Sequence, residues 1–192
     1  MPVERPASPP AFDALLECAK RGEATAWNEL YRWLAPAVAG YLRLQGSHEV
    51  EDLTSEVFLG MVRRIKDFEG DVAAFRSWVF VIAHRRLQDE GRRRSANRCE
   101  PCSFDDEGGD NGGLPPAAEQ DPLAALATER VVALCDSLVP DQRSVLLLRI
   151  VADLPIDEVA RVLGKSSGAV KSLQHRACAT LARKFPLEAV SR

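Results

Sequence analysis

Four groups of residues in this chain have the types and spacing to do chemistry. Asp52 and Glu56 lie four residues apart within a stretch of helical periodicity, which sets both carboxylates on one exposed face. Like charges at that spacing cost a helix about 0.2–0.5 kcal/mol. Two carboxylates so placed suit a general acid and base, a metal, or a basic partner surface. No His, Cys or Gly-rich site supports the first two, since His48 stands alone just ahead of the helix. A solvated face and docking to a basic partner remain. Cys99 and Cys102 form a CxxC without a second ligand pair, which is a weak zinc signal. Unpaired thiols, a redox pair and a metal role stay open there.

The other two groups suit nucleic acid. Phe75-Arg76-Ser77-Trp78-Val79-Phe80, followed by His84, Arg85, Arg86 and Gln88, sets aromatic rings beside arginines. Single-stranded nucleic acid is held that way, with bases stacked and phosphates paired. Phe75 and Trp78 sit at core spacing, whereas Phe80 lies off the main stripe and is expected to be exposed. Further on, Ile156, Val159, Ala160 and Leu163 form one apolar face, Gly164 suits a tight turn, and Val170, Leu173, Ala177 and Leu181 continue the core. Helix, Gly-containing turn, helix is the helix-turn-helix arrangement. Its second helix enters the major groove with its N-terminal residues toward base edges. Those positions hold Ser166, Ser167, Gly168, Lys171, Ser172 and His175, with Arg176, Arg183 and Lys184 adding phosphate affinity. A helical hairpin with a basic solvated face is the plainer alternative.

The elements that must position these groups read as helices throughout, with strand alternation nearly absent. Phe12 to Lys20 is a short helix ended near Gly22, and Ala24 to Gln45 is a second, which Pro36 should kink or divide. Val50, Leu53, Val57, Met61 and Ile65 recur as an amphipathic stripe. After Gly70, the stripe of Phe75, Trp78, Val79, Ile82 and Leu87 runs into Gly91 and the arginines that follow. Leu123 to Leu138, Pro140 to Ile150, Ile156 to Leu163 and a helix from Ser166 or Ser167 to about Phe185 complete the set, with Pro140 suited to a first helical position. The fold class is therefore all-α: two small helical domains joined by a flexible linker, the C-terminal one a helix-turn-helix. The boundaries fall at 1–10 for a disordered N-terminus, 11–97, 98–122 for an acidic Gly/Pro-rich linker, 123–186, and 187–192 for a tail. That linker, at roughly 3.4 Å per residue, reaches about 80 Å when extended.

Composition bounds the function. The net charge of −3 hides local bias: from Arg85 to Arg98 there are six arginines, from Gly164 to Phe185 five Lys and Arg without an acid, and between Cys99 and Leu123 seven acids without a base. No apolar run approaches the ~18 residues that span a bilayer, and the four prolines of Met1 to Pro10 leave no apolar segment for a secretory signal. A cytoplasmic protein without membrane insertion is expected. Five cysteines without such a signal do not form a disulfide scaffold. Cys18, Cys135 and Cys178 are expected to be small buried apolar residues. No catalysis, cofactor or metal is expected.

Two motifs resemble a known family. Glu51-Asp52-Leu53-Thr54-Ser55-Glu56-Val57-Phe58, with the segment from Phe75 to Leu87, is similar to the second conserved region of ECF sigma factors. Leu138-Val-Pro-Asp-Gln-Arg-Ser-Val-Leu-Leu-Leu-Arg, with Ile156 to Gly164 and Gly168-Ala-Val-Lys-Ser, is similar to their fourth. The resemblance implies a promoter-specificity subunit of RNA polymerase. It assigns Asp52, Leu53, Ser55, Glu56 and Phe58 to the clamp helices of the polymerase β′ subunit. The turn from Glu69 to Ala74 and the helix beyond it are assigned to melting and reading the minus-ten element, with Arg76, Phe80, His84, Arg85, Arg86, Gln88 and Arg92 as DNA contacts. The set Ser166, Ser167, Gly168, Lys171, Ser172, His175 and Arg176 is assigned to the minus-thirty-five element. Core polymerase (β′ clamp helices and β flap), promoter DNA and an anti-sigma factor are the implied partners. Two positions depart from the family pattern: Ser55 stands where Gln is usual, and Leu173-Gln174 where many members have Arg-Leu. A conventional helix-turn-helix regulator acting without polymerase, and a small helical metal hydrolase, are the rival readings. The first leaves the Asp52/Glu56 helix unexplained and the second lacks a ligand cluster.

Overall fold

The computed structural model describes residues 9, 11–97 and 130–185. The linker with Cys99 and Cys102, most of both terminal segments, and the first turns of the helix expected from Leu123 lie outside the described residues. Two helical modules are present. The first holds α1 (Phe12–Lys20), α2 (Ala24–Leu44), α3 (Val50–Arg64) with a 3-10 turn (Ile65–Asp67), and α4 (Val72–Asn97). The second holds α5 (130–136 among the described residues), α6 (Pro140–Ile150), α7 (Ile156–Leu163) and α8 (Ser167–Lys184).

Local chemistry sets the helix ends. Asp71 accepts the backbone N–H of Ala74 at 2.8 Å and so caps α4. Pro140 occupies the first turn of α6, where its missing N–H costs nothing. Gly164 sits at φ 62° between α7 and α8, and Lys165 N–H returns to Ala160 C=O at 2.9 Å. A side chain at that left-handed position would be strained, which is why the tight turn falls there. Ser166 caps α8 by accepting Ala169 N–H at 3.2 Å.

One expectation about helix continuity is corrected. Pro36 does not divide α2, which runs unbroken with Pro36 on its exposed side. The Arg32 carbonyl that loses its intrahelical partner is therefore on the solvent side. Gly91 lies within α4, which runs on through the arginines as expected. A helical glycine costs about 1 kcal/mol relative to alanine, yet the three arginines after it are good helix formers and carry the helix on to Asn97. The carboxylate of the buried Glu90 accepts His48 N–H at 3.0 Å, which ties this end of α4 to the α2–α3 turn.

The core is continuous across both modules. Phe12, Trp33, Phe68, Phe75 and Trp78 form an aromatic cluster in the first, with the Trp33 and Phe75 rings stacked at 6.5 Å. Leu148, Leu154, Val159 and Val162 of the second join the same core. The modules meet where α7 lies on α4 and α6 on α2. Gln45 Nε2 donates to Ser144 Oγ at 2.9 Å across that junction, and a β-carbon on Gly40 would stand 3.7 Å from Val151. A smaller core of Leu138, Leu146, Ala177 and Leu181 holds α6 to α8 within the second module.

Candidate nucleic-acid interface

The expected minus-ten set divides into a covered and an open half along α4. Arg76 is 8% exposed. Its guanidinium lies 5.6 Å from the Trp33 ring centroid, and its Nε has no hydrogen-bond partner. Burial lowers its pKa, opposed by the attraction of Asp153 in the α6–α7 turn. Phe80, expected to be exposed, is fully buried, edge-on to Tyr41 at 5.5 Å. The reason is that α4 is enclosed on several sides, by α2, α3 and α7, so its apolar arc is wider than one stripe.

His84 is half-buried. Gln88 lies with Nε2 3.0 Å from its Nε2, and the Tyr41 hydroxyl lies 2.9 Å from its Nδ1. The neutral ring with its proton on Nδ1 satisfies both contacts. Burial lowers the His84 pKa, Asp141 raises it and Lys165 lowers it further. Burial likewise pushes the Tyr41 hydroxyl well above its ordinary value. Arg85, Gln88 and Arg92 are exposed, Arg92 pairing with Asp89. Arg86 is half-exposed and lies 3.4 Å from Glu56.

The helix-turn-helix set is open. Gly168, Lys171, Ser172, His175 and Arg176 are all exposed along the first turns of α8. Among the described residues Lys171, Arg176 and Arg183 make no ion pair, whereas Lys184 Nζ donates to Ser137 C=O at 3.0 Å. The two serines are partly engaged: Ser166 as the cap, Ser167 by donating to Asp157 Oδ1 at 2.6 Å. Bond donors and a cation therefore converge at the end of the helix that a major groove admits. Cys178, expected to be buried, is exposed on α8, and Cys18 is intermediate; Cys135 is buried as expected.

On α3, Asp52 and Ser55 are exposed and Glu56 half-exposed, while Leu53 and Phe58 are buried. The last two seat the helix, Phe58 against Tyr31 with ring centroids 4.6 Å apart. Sequence reasoning missed the apolar surface beside them: Tyr31, Leu59 and Val62 are 50%, 55% and 51% exposed. Leu59 and Val62 lie off the Val50–Ile65 stripe, which was the available signal. A groove of about 480 Å³ between α2 and α3, lined by Tyr31, Pro36, Arg43, Glu51 and Ser55 among others, adjoins the acidic pair. Among the described residues there is no group of three His, Cys, Asp or Glu able to hold a metal, and no helix long and apolar enough to cross a membrane.

Comparison with known proteins follows the same division. The sigma-70 region 2 family model matches residues 28–97, and the sigma-70 region 4 model matches residues 128–181. The chain is 36% identical over 177 residues to the ECF RNA polymerase sigma factor BldN of Streptomyces coelicolor, covering 91% of this chain and 66% of BldN. It is 30% identical over 178 residues to the ECF RNA polymerase sigma factor ShbA of Streptomyces griseus, covering 88% and 92% of the two. The solved structure of CnrH in complex with the cytosolic domain of CnrY aligns with a TM-score of 0.64 at 25% identity, over 90% of this chain and 95% of that one.

Proposed function

Because the chain belongs to the ECF RNA polymerase sigma factor family, we propose that it is a promoter-specificity subunit that binds core polymerase and directs initiation at a subset of promoters. The observation that carries this reading is the pairing, in one chain, of an exposed acidic face on α3 with an exposed polar N-terminus on α8. In this reading Asp52, Ser55 and Glu56 meet the β′ clamp helices, with Leu53 and Phe58 holding α3 in place. The second module engages the β flap and presents Ser166, Ser167, Gly168, Lys171, Ser172, His175 and Arg176 to the minus-thirty-five element. On α4, Arg85, Arg86, Gln88 and Arg92 meet the minus-ten DNA, joined by Arg76 and His84 once uncovered. Melting is stabilised by capture of an extruded base. Phe80, being core, supports that surface from beneath.

The arrangement sets a further requirement. Elements centred about 25 base pairs apart lie roughly 85 Å apart along duplex DNA at 3.4 Å per pair. Modules packed α7 on α4 cannot reach both at once, so promoter binding requires them to separate. The linker of residues 98–122, with its reach of about 80 Å, allows a separation of that order. CnrH was solved with the cytosolic domain of CnrY bound, and we infer that this chain too is held by a protein of the anti-sigma class.

Run-off transcription from a promoter library, with purified core polymerase and with or without this protein, tests the reading. Transcripts that depend on the protein and weaken for Asp52→Arg or Glu56→Arg support it. Tight duplex binding by the protein alone, with no protein-dependent transcripts, refutes it.

A further inference from the structure

Two arginines that these roles leave out, Arg63 and Arg64, complete a basic cluster with Arg85 and Arg86. Arg63 and Arg64, in the last turn of α3, face Arg85 and Arg86 of α4 across a pocket of about 260 Å³. Gly60, Ile82 and Asp89 complete its lining. The close approach depends on Gly60, because a β-carbon there would stand 3.3 Å from Ile82 Cγ2. Helices so near bring four guanidinium groups together. The nearby acids do not balance them: Glu56 is shared with Arg86, and Asp89 is engaged by Arg92.

We propose that this pocket binds a backbone phosphate of promoter DNA, making Arg63 and Arg64 phosphate contacts beside the minus-ten element. Guanidinium forks match phosphate oxygens bidentately, which a set of point charges would not. Arg63, Arg64 and Arg85 are exposed, so the site is open even though Arg76 is buried. The cluster also continues along one strand's path. Arg92 and Arg93 follow Arg85 and Arg86 at seven residues, two helical turns or about 10.5 Å further along α4. A row of cations at that interval suits a polyanion, whereas an isolated pocket would suit a free anion. The contact carries affinity without sequence information.

The proposal rests on the promoter-binding reading, so its test separates the two. The full chain, assembled with core polymerase, is titrated with a labelled promoter fragment taken from the run-off screen, over a range of salt concentrations. The double substitution Arg63→Ala, Arg64→Ala is expected to lower the slope of log K against log salt by about 0.7–0.9, the loss of one phosphate contact. Core binding and melting temperature should be unchanged, and Arg63→Lys, Arg64→Lys should restore most of the slope. An unchanged slope in a complex that still transcribes overturns the phosphate site and leaves the sigma reading standing. Failure of the unaltered chain to bind core overturns the sigma reading instead. Calorimetry with inorganic phosphate supplies the remaining arm: binding that the alanine pair abolishes, with the DNA slope unchanged, would assign the pocket to a free anion and overturn the DNA contact.

Discussion

Replacing Phe80 by alanine separates a core role from a base-stacking one. Its ring is fully buried and meets Tyr41 edge-on, with centroids 5.5 Å apart at 90°. Truncating a buried Phe to Ala costs about 3–5 kcal/mol, combining lost transfer energy with the void left behind. The edge-to-face pair accounts for about 0.5–1.5 kcal/mol of that. Total stability is only about 5–15 kcal/mol, so the loss is a large fraction. For a chain of 192 residues, each 1 kcal/mol moves the midpoint by about 2–4 °C, giving an expected drop of roughly 6–20 °C. Thermal melting of the full chain, followed by circular dichroism, measures it. Phe80→Leu leaves a smaller void and should fall well short of that drop. A base-stacking Phe80 on the surface gives the opposite pattern, because exposed substitutions change stability by about 0.5 kcal/mol or less. A melting temperature lowered by less than 2 °C in the alanine variant, with promoter affinity lost equally in both variants, would refute the core assignment.

Other outcomes follow from the same geometry. The His84 pKa is lowered by burial, so on acidification the unfolded chain takes up its proton before the folded one. Stability is therefore full above the ordinary histidine pKa of about 6.5 and declines as pH falls below it; melting curves between pH 8 and 5 should show this, with a shallower decline in His84→Gln. Ser166→Ala removes the cap of α8 and should cost about 0.5–2 kcal/mol in denaturant unfolding. Lys171→Ala, without an internal ion pair to lose, should leave stability unchanged while reducing the salt dependence of promoter binding by about 0.9 in slope. Gln45→Ala or Ser144→Ala breaks the direct bond between the modules, and small-angle scattering of the free chain should then show a larger radius of gyration than the unaltered protein.

Most helices were readable because their burial is one-sided. The Val50–Ile65 stripe, Pro140 at the start of α6 and Gly164 at the turn each state a local rule that nothing distant overrides. Phe80 shows where such reading fails. From Trp78 to Ala83 every residue is apolar, the pattern of a helix covered on several sides, yet the 3.6-residue stripe of Phe75, Trp78 and Val79 drew attention to one face. The helix that covers another side of α4, α7, comes from some 75 residues further along and carries no label of which module it serves.

The same physics explains why the candidate site was readable in composition but not in accessibility. Arginines and small polar residues name a nucleic-acid surface by their chemistry, wherever the fold puts them. Whether Arg76 can use its charge depends on its neighbours, and here it is buried against Trp33 with its Nε unpartnered. An unpaired buried donor costs about 1–3 kcal/mol, so Arg76 is held at a penalty in this arrangement. Lys171 and Arg176 bear no such penalty on the open face of α8. Thus the α8 half of the proposed DNA surface needs only a ligand, whereas on α4 Arg76 and His84 must first be uncovered.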